Sequence, residues 1–537
     1  MDSTLFKNVT VWLGSRSPSG EWATSNAVLI KGDRVIALGE SAIAMGADTT
    51  VDCAAGFLAP AFADGHIHTL FGGLEAVSAP VRDCASAREV AKSVGRWAAE
   101  HPEKKWIEGS GFDLALAPGG IFQAAWLDEF VPDRPVYLRA SDYHTVWVNS
   151  MALQLAGYVG EITQPHDGEI VVDELGAPVG TLKEWGAWRP VAELLPPAME
   201  DVRIEALSQA TAKLAAAGIT WIQEGWTEPR DIETWIAAHQ SGRLSVGVDL
   251  ALWADPNNWR AQLESFVVSR DAATACGDSN FSATRIKFFA DGIFESGTGA
   301  LLEPYCGCPH SKGLPNWEPR ELAAAVAAID ALGFTAHVHA IGDYAIRMTL
   351  DAFEQCAATN PVRDRRWVIV HSQLIAPTDI ERFVQLGVVA NFEPLWAQMD
   401  AWQEQLTAER LGPERAGRQF QIQTVADTGA VISFGSDWPV TTYNPLECLQ
   451  IAVTRQAAPS SPPWMPHERV SVDDGLAAYT SGVAYQAGRD DAGVIRPGAI
   501  ADLVLLHADP RRVAPNEIGK IEVIGTWRLG VRTFESF

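Results

Sequence analysis

The stretch from Phe62 to Gly73, "FADGHIHTLFGG", closes a short apolar run with two histidines two residues apart. Side chains two apart on a strand point to the same face. His66 and His68 can therefore approach one cation together, at the nitrogen–zinc distance of about 2.0–2.1 Å. The plainer alternative is that each is a satisfied core residue, the usual fate of a histidine on an apolar strand. The turn after the run separates two folds. An open dinucleotide-binding sheet wants a Gly-rich turn directly after its first strand. Here the turn carries His-X-His, which points to a closed barrel with its working side chains at the C-terminal strand ends.

Outward from this run, the chain alternates helical stretches with apolar strands. "VRIEALSQATAKLAAAG", "PRELAAAVAAIDALG" and "PTDIERFVQLG" each end at a glycine, as helix C-termini often do. Each is followed at once by a strand: "ITWIQEG", "FTAHVHA" and "VVANFEP". Repeated units of this kind imply parallel strands covered by helices. Eight candidate strands can be named: "FLAPAFADGHIH", "GITWIQEG", "LSVGVDLALW", "ATRIKFFADG", "FTAHVHAIGD", "RWVIVHSQL", "VVANFEP" and "VISFGSDWPV". Eight is the number that closes a (β/α)8 barrel of the TIM type. Residues from about 70 to 205 are left over after the first strand; with strands of their own, such as "KWIEGSG" and "PVYLRASDYHTVWVN", they read as a large insertion over the mouth. The first 55 residues also read as strands, with "KGD" as a hairpin turn, and the last 45 read alike. Neither end can close a sheet unaided, so the expectation is one small β-domain from residues 1–57 and 492–537, with the barrel and its insertion between, at 58–491.

The whole chain has 537 residues, 47% of them hydrophobic and 20% charged, as an ordinary globular protein with a large core has. A net charge of −26 argues against nucleic acid and against anionic membranes, both of which would repel it. Seven cysteines, odd in number and thinly spread, are no disulfide framework. "CGCPH", from Cys306 to His310, has no second cysteine pair nearby and makes a poor zinc knot. The N-terminus lacks a basic start followed by a long apolar core, and no run of 18 apolar residues occurs, so a cytoplasmic location is expected. The subunit count stays open, with a homodimer as one option.

Polar residues that can bind metal fall at particular strand ends: His66 and His68 on the first, Lys287 on the fourth, His337 and His339 on the fifth, His371 on the sixth and Asp437 on the eighth. Lys287 sits among apolar residues in "RIKFFADG". An unpaired ammonium inside a barrel is expensive, so it needs carboxylate neighbours or carboxylation.

With these residues in place, the chain resembles the amidohydrolase superfamily, and within it the YtcJ-like branch that includes N-substituted formamide deformylases. The matching stretches are "DGHIH", "IKFFADG", "HAIGD", "FGSDWPV", "NPLECLQIAVTR" and "YTSGVAYQAGRDDAGVIRPGAIADLVLL". The resemblance implies a distorted α/β barrel flanked by a β-sandwich made from both termini. It implies that His66 and His68 hold one divalent metal, zinc being the expected ion, and that Lys287, carboxylated on its amine, bridges to a second held by His339 and His371. Asp437 would ligate a metal and carry the proton while a metal-activated hydroxide attacks the carbonyl of a C–N bond. One ion or two stays open. The chain departs from the branch at Val370, where Glu is common, and at Tyr344, where Arg is frequent.

For the small-molecule substrate, His144 in "SDYHTVWVNSMAL" and Glu184 and Trp185 in "GTLKEW" match stretches near the pocket of that branch. Asp291 and Trp438 are further candidate contacts, and His337, which alternation points the same way as His339, is either a substrate contact or a structural neighbour of the ligands. Trp226, Trp253, Trp396 and Trp438 all lie near strand C-terminal ends, and several indoles around a pocket would favour an apolar or aromatic substituent. An aminohydrolase that releases ammonia, and a binding protein without turnover, are the competing readings.

Overall fold

The structure, a computed structural model, describes residues 2–17 and 19–536. Eight parallel strands run in chain order: β1 (Phe62–Ile67), β2 (Ile219–Thr227), β3 (Gly247–Trp253), β4 (Phe281–Phe289), β5 (Thr335–Ala340), β6 (Val368–His371), β7 (Val389–Phe392) and β8 (Ile432–Phe434). Each pairs with the next, from β1 through to β8. The first and last do not share a ladder. They are joined just beyond β8, where Ser436 N and Asp437 N donate to His66 O at 3.2 and 2.8 Å and His68 N donates to Trp438 O at 2.8 Å. The closure that completes the barrel thus sets His66 and Asp437 side by side.

The three helices read from sequence are present as Glu200–Ala216, Pro319–Ala331 and Ile380–Leu386. The glycines at their C-terminal ends, Gly218, Gly333 and Gly387, have φ of +85°, +87° and +65°. Only glycine takes that left-handed geometry freely, which is why it ends the helix and turns the chain into the next strand. Helices and strands bury one continuous core that includes Phe62, Ile222, Phe288, Val338, Phe353 and Phe392.

The run Phe57–His68, expected to be one barrel strand, is two. Phe57–Pro60 pairs antiparallel with Leu503–Leu506 in a terminal sheet, and the barrel begins at Phe62. Thr10–Arg16 and Trp22–Ser25 join that sheet from the N-terminal end, and Val523–Arg528 and Val531–Glu535 from the C-terminal end. A second sheet holds Ser3–Lys7, Val28–Lys31, Arg34–Leu38 and Thr49–Asp52, with the hairpin turning at Gly32 (φ +57°). Phe6, Val11 and Ile30 meet Leu58, Leu503 and Trp527 between the two sheets, so both termini build one β-sandwich. Residues Gly39–Met45, taken for strand in the sequence, form a short helix that buries only Ala42; "SAIAM" carries helix formers and no two-residue alternation.

The insertion after β1 forms a six-stranded sheet, in the order Glu169–Val172, Pro178–Lys183, Thr145–Val148, Val136–Ala140, Ile107–Phe112, Ala79–Pro80. Its core of Val90, Phe112, Leu138 and Trp147 takes in Leu406 from the segment between β7 and β8, which braces it on the barrel mouth. Among the described residues, no helix is long and apolar enough to cross a membrane.

Candidate metal centre

All the strand-end residues picked for metal converge. His66 Nε2 lies 3.3 Å and His68 Nε2 3.0 Å from Asp437 Oδ1. The ligand atoms of these three side chains all lie within 4.8 Å of one another, the one such cluster among the described residues. Lys287 Nζ is 3.3 Å from His66 Nε2. The His371 ring is 4.6 Å from that of His339 and 5.3 Å from that of His66, centroid to centroid. These six residues line one cavity of about 300 Å³. "CGCPH" takes no part: Cys306 and Cys308 are exposed.

Three imidazoles are fixed from behind. His66 Nδ1 is 2.8 Å from His337 Nε2, His371 Nδ1 is 2.8 Å from Glu393 Oε2, and His339 Nε2 is 3.1 Å from Gly292 O. With the back nitrogen of each ring donating its proton, the front nitrogen presents a lone pair to the cavity. Asp437 Oδ1 is buried beside the His66 and His68 rings without a hydrogen-bond partner. Lone pairs and a carboxylate oxygen so close together repel one another unless a positive charge lies between them. The donors, imidazole nitrogen and carboxylate oxygen, are those that bind zinc-like cations, so the residues present fit a divalent metal.

Electrostatics agree. Burial pulls the imidazoles of His66, His68 and His339 below their ordinary range, and brings His371 to about 3. Neutral imidazole is the form that ligates metal. Burial also lowers the Lys287 amine to about 7, against the opposing charges of Asp437 and Glu393. Burial pushes Asp437 up, but the adjoining His66 and His68 outweigh it and hold the carboxyl well below its ordinary range.

Two buried acids were missed. Glu393, fully buried just past β7, backs His371, and Glu224 on β2 accepts from Thr69 N at 2.8 Å beside His68. The signal was available: "VVANFEP" and "ITWIQEG" each place a carboxylate on an apolar strand, as unexplained there as Lys287 is on its own.

Of the residues expected to meet substrate, His144, Glu184 and Trp185 line the cavity. His144 Nδ1 is 2.8 Å from Glu184 Oε2. Burial works against the charged ring, yet the Glu184 carboxylate raises His144 to about 9. Three others lie elsewhere. His337 stands behind His66 and off the cavity wall. Asp291 is fully buried and takes N–H groups from Ala300, Ile341 and Gly342 at 2.7–3.0 Å, tying together the loops after β4 and β5. Trp438 packs its ring on Gly72, so close that a Cβ there would lie 2.2 Å from it. Trp226, Trp253 and Trp396 do line the cavity, joined by Trp188 and Phe289.

A parallel barrel with imidazoles, an amine and a carboxylate at its mouth, beside a sandwich of both termini, is a fold with solved counterparts. The solved structure of an uncharacterized metal-dependent hydrolase from Pyrococcus horikoshii matches it with a TM-score of 0.74 over 96% of this chain and 99% of that one, at 22% identity. The chain belongs to the amidohydrolase family, whose model matches residues 49–534. It is similar to Protein LONG AFTER FAR-RED 3 of Arabidopsis thaliana, 30% identical over 90% of this chain and 84% of that protein. The putative amidohydrolase YtcJ of Bacillus subtilis is 26% identical over 89% and 88%, and the N-substituted formamide deformylase of Arthrobacter pascens 25% identical over 95% of each.

Proposed function

We propose that the protein hydrolyses a carbon–nitrogen bond of an amide, N-formyl or cyclic amide type in a small substrate with an apolar or aromatic substituent. The observation that carries this reading is the convergence of His66, His68 and Asp437 on one point of an aromatic-walled cavity. His66, His68, Lys287, His339, His371 and Asp437 would hold one or two divalent cations, zinc by the character of the donors. Such a cation, when bound, lowers the pKa of water to about 7 and polarises a carbonyl. Asp437 Oδ1 takes the proton of the attacking water and returns it to the departing nitrogen, as one group can do in both directions. Lys287, buried and with its amine near 7, reacts with CO2 in its neutral form. As the N–C bond forms, the nitrogen gives up a proton to solvent, and the amine becomes an anionic carbamate with two oxygens to offer a cation. Trp185, Trp188, Trp226, Trp253 and Phe289 cradle the substituent, and His144, held by Glu184, offers an N–H to the substrate carbonyl. The relative that carries the name N-substituted formamide deformylase supports an N-formyl compound as the first to try.

The test is release of formate, carboxylate or ammonia from a panel of N-formyl, N-acyl and cyclic amides with aryl and alkyl substituents, before and after chelation. The reading expects formate or carboxylate release that chelation abolishes and zinc restores. Ammonia as the sole product, or turnover untouched by chelation, contradicts it.

A further inference from the structure

Glu393 is fully buried, does not line the cavity, and among the described residues makes one side-chain hydrogen bond, from Oε2 to His371 Nδ1 at 2.8 Å. Its other oxygen, Oε1, has no partner among the described residues. The same short segment presents Trp396, whose ring stacks on the His371 imidazole at 5.1 Å and 12°. One stretch of chain past β7 therefore grips His371 by an edge and a face. His371 itself has φ +74°, a left-handed conformation that a residue with a Cβ adopts only when its surroundings force it. A buried carboxylate with one hydrogen bond is costly unless positive charge lies close, and the cation side of His371 is where that charge would be.

We infer that Glu393 is a positioning residue: it accepts the Nδ1 proton of His371 and so turns Nε2 toward the metal centre as a lone-pair donor. The inference rests on the metal-dependent reading above and goes beyond it, since nothing in that reading needs a residue outside the cavity. Carboxylates behind metal-bound histidines fix tautomer and ring orientation and raise donor strength, and their loss typically costs about 10–100-fold in metal affinity. His66 is backed by an imidazole and His339 by a carbonyl, with the Asp291 carboxylate farther off at 3.6 Å, so among the described residues Glu393 is the one carboxylate within hydrogen-bond distance behind these three rings.

The test is zinc titration of the metal-free protein against a chromogenic chelator, for wild type, Glu393→Gln and Glu393→Leu, with thermal melts of all three metal-free forms. Glu393→Gln keeps shape and an acceptor oxygen; Glu393→Leu removes both. The expected result is zinc affinity reduced about 10–100-fold in Glu393→Leu, a smaller loss in Glu393→Gln, and metal-free melting temperatures close to wild type for Glu393→Gln. Unchanged zinc affinity in both variants, or an equal loss in both, overturns the role of Glu393 while leaving the metal-dependent reading in place. A wild type that takes up no zinc overturns the reading and the inference together.

Discussion

Asp437 has two duties in this account, and they can be pulled apart. Its Oδ1 approaches His66 and His68, and as a base it moves a proton. Asparagine keeps an oxygen for the cation and loses the basicity. Asp437→Asn is therefore expected to retain bound metal by elemental analysis while turnover falls about 10²–10⁴-fold, the usual contribution of a general acid–base group. Near-normal turnover in that variant would remove the proton-carrying role. Single residues were legible in the sequence where a polar group interrupted an apolar strand, as with His66, Lys287 and His371. They were misjudged where a carboxylate could serve either backbone or substrate. Nothing in "FFADG" says that Asp291 faces three backbone N–H groups rather than the cavity.

Strands position these groups as much as the groups themselves do. Gly225 on β2 lies flat against the two histidine rings: a Cβ there would sit 2.2 Å from His66 Cε1 and 3.0 Å from His68 Cε1. Gly225→Ala must push both imidazoles aside, with no change to the charged groups. The expected outcome is a protein with a wild-type circular dichroism spectrum and clearly less bound zinc; full zinc content would show that the rings have room the structure denies them. Beneath the mouth, the helix Pro319–Ala331 is tied to the segment entering β6 by Asp330, which accepts from Asn360, Arg363 and Arg365 at 2.8–3.1 Å. Burial pushes this carboxyl up, but the guanidinium and amide donors win and hold it below its ordinary range. A lowered folded-state value means stabilisation that is present above about pH 4, the unfolded carboxyl value, and is lost as pH falls through the folded value. Asp330→Asn should then cost about 2–4 kcal/mol in a denaturant titration at pH 7, less than a fully buried pair because the Arg363 side chain is 30% exposed. The gap from wild type should narrow below pH 4; a constant gap would show that charge is not what Asp330 contributes. Helices and barrel strands were legible as elements because their pattern is local: an apolar run, then a glycine. The sheet of the insertion was not, since its order pairs strands far apart in the chain, such as Thr145–Val148 with Pro178–Lys183.

The molecule as a whole brings six side chains, spread from His66 to Asp437, to one cavity by closing a barrel. The sandwich serves that closure: Ala61 N donates to Asp502 O at 2.9 Å directly before β1 begins, so the chain's last strands help set where its first histidines start. Strand count, the pairing of the two ends and the place of the insertion could all be read in advance, because each follows from burial along the chain. The indoles of Trp226, Trp253 and Trp396 were legible too, as tryptophans at strand ends, but the depth of the cavity and the part of its wall formed by Trp188 were not, because they depend on how the insertion sheet lies across strands β2 and β3, where Trp226 and Trp253 join its core. The most direct measurement is an anomalous difference map from crystals of the full chain grown with zinc and recorded at the zinc edge. The account predicts a peak within bonding distance, about 2.0–2.2 Å, of His66, His68 and Asp437, with any second peak beside His339 and His371. A map without a peak at the barrel mouth, or with its peak at Cys306 and Cys308 instead, would contradict it.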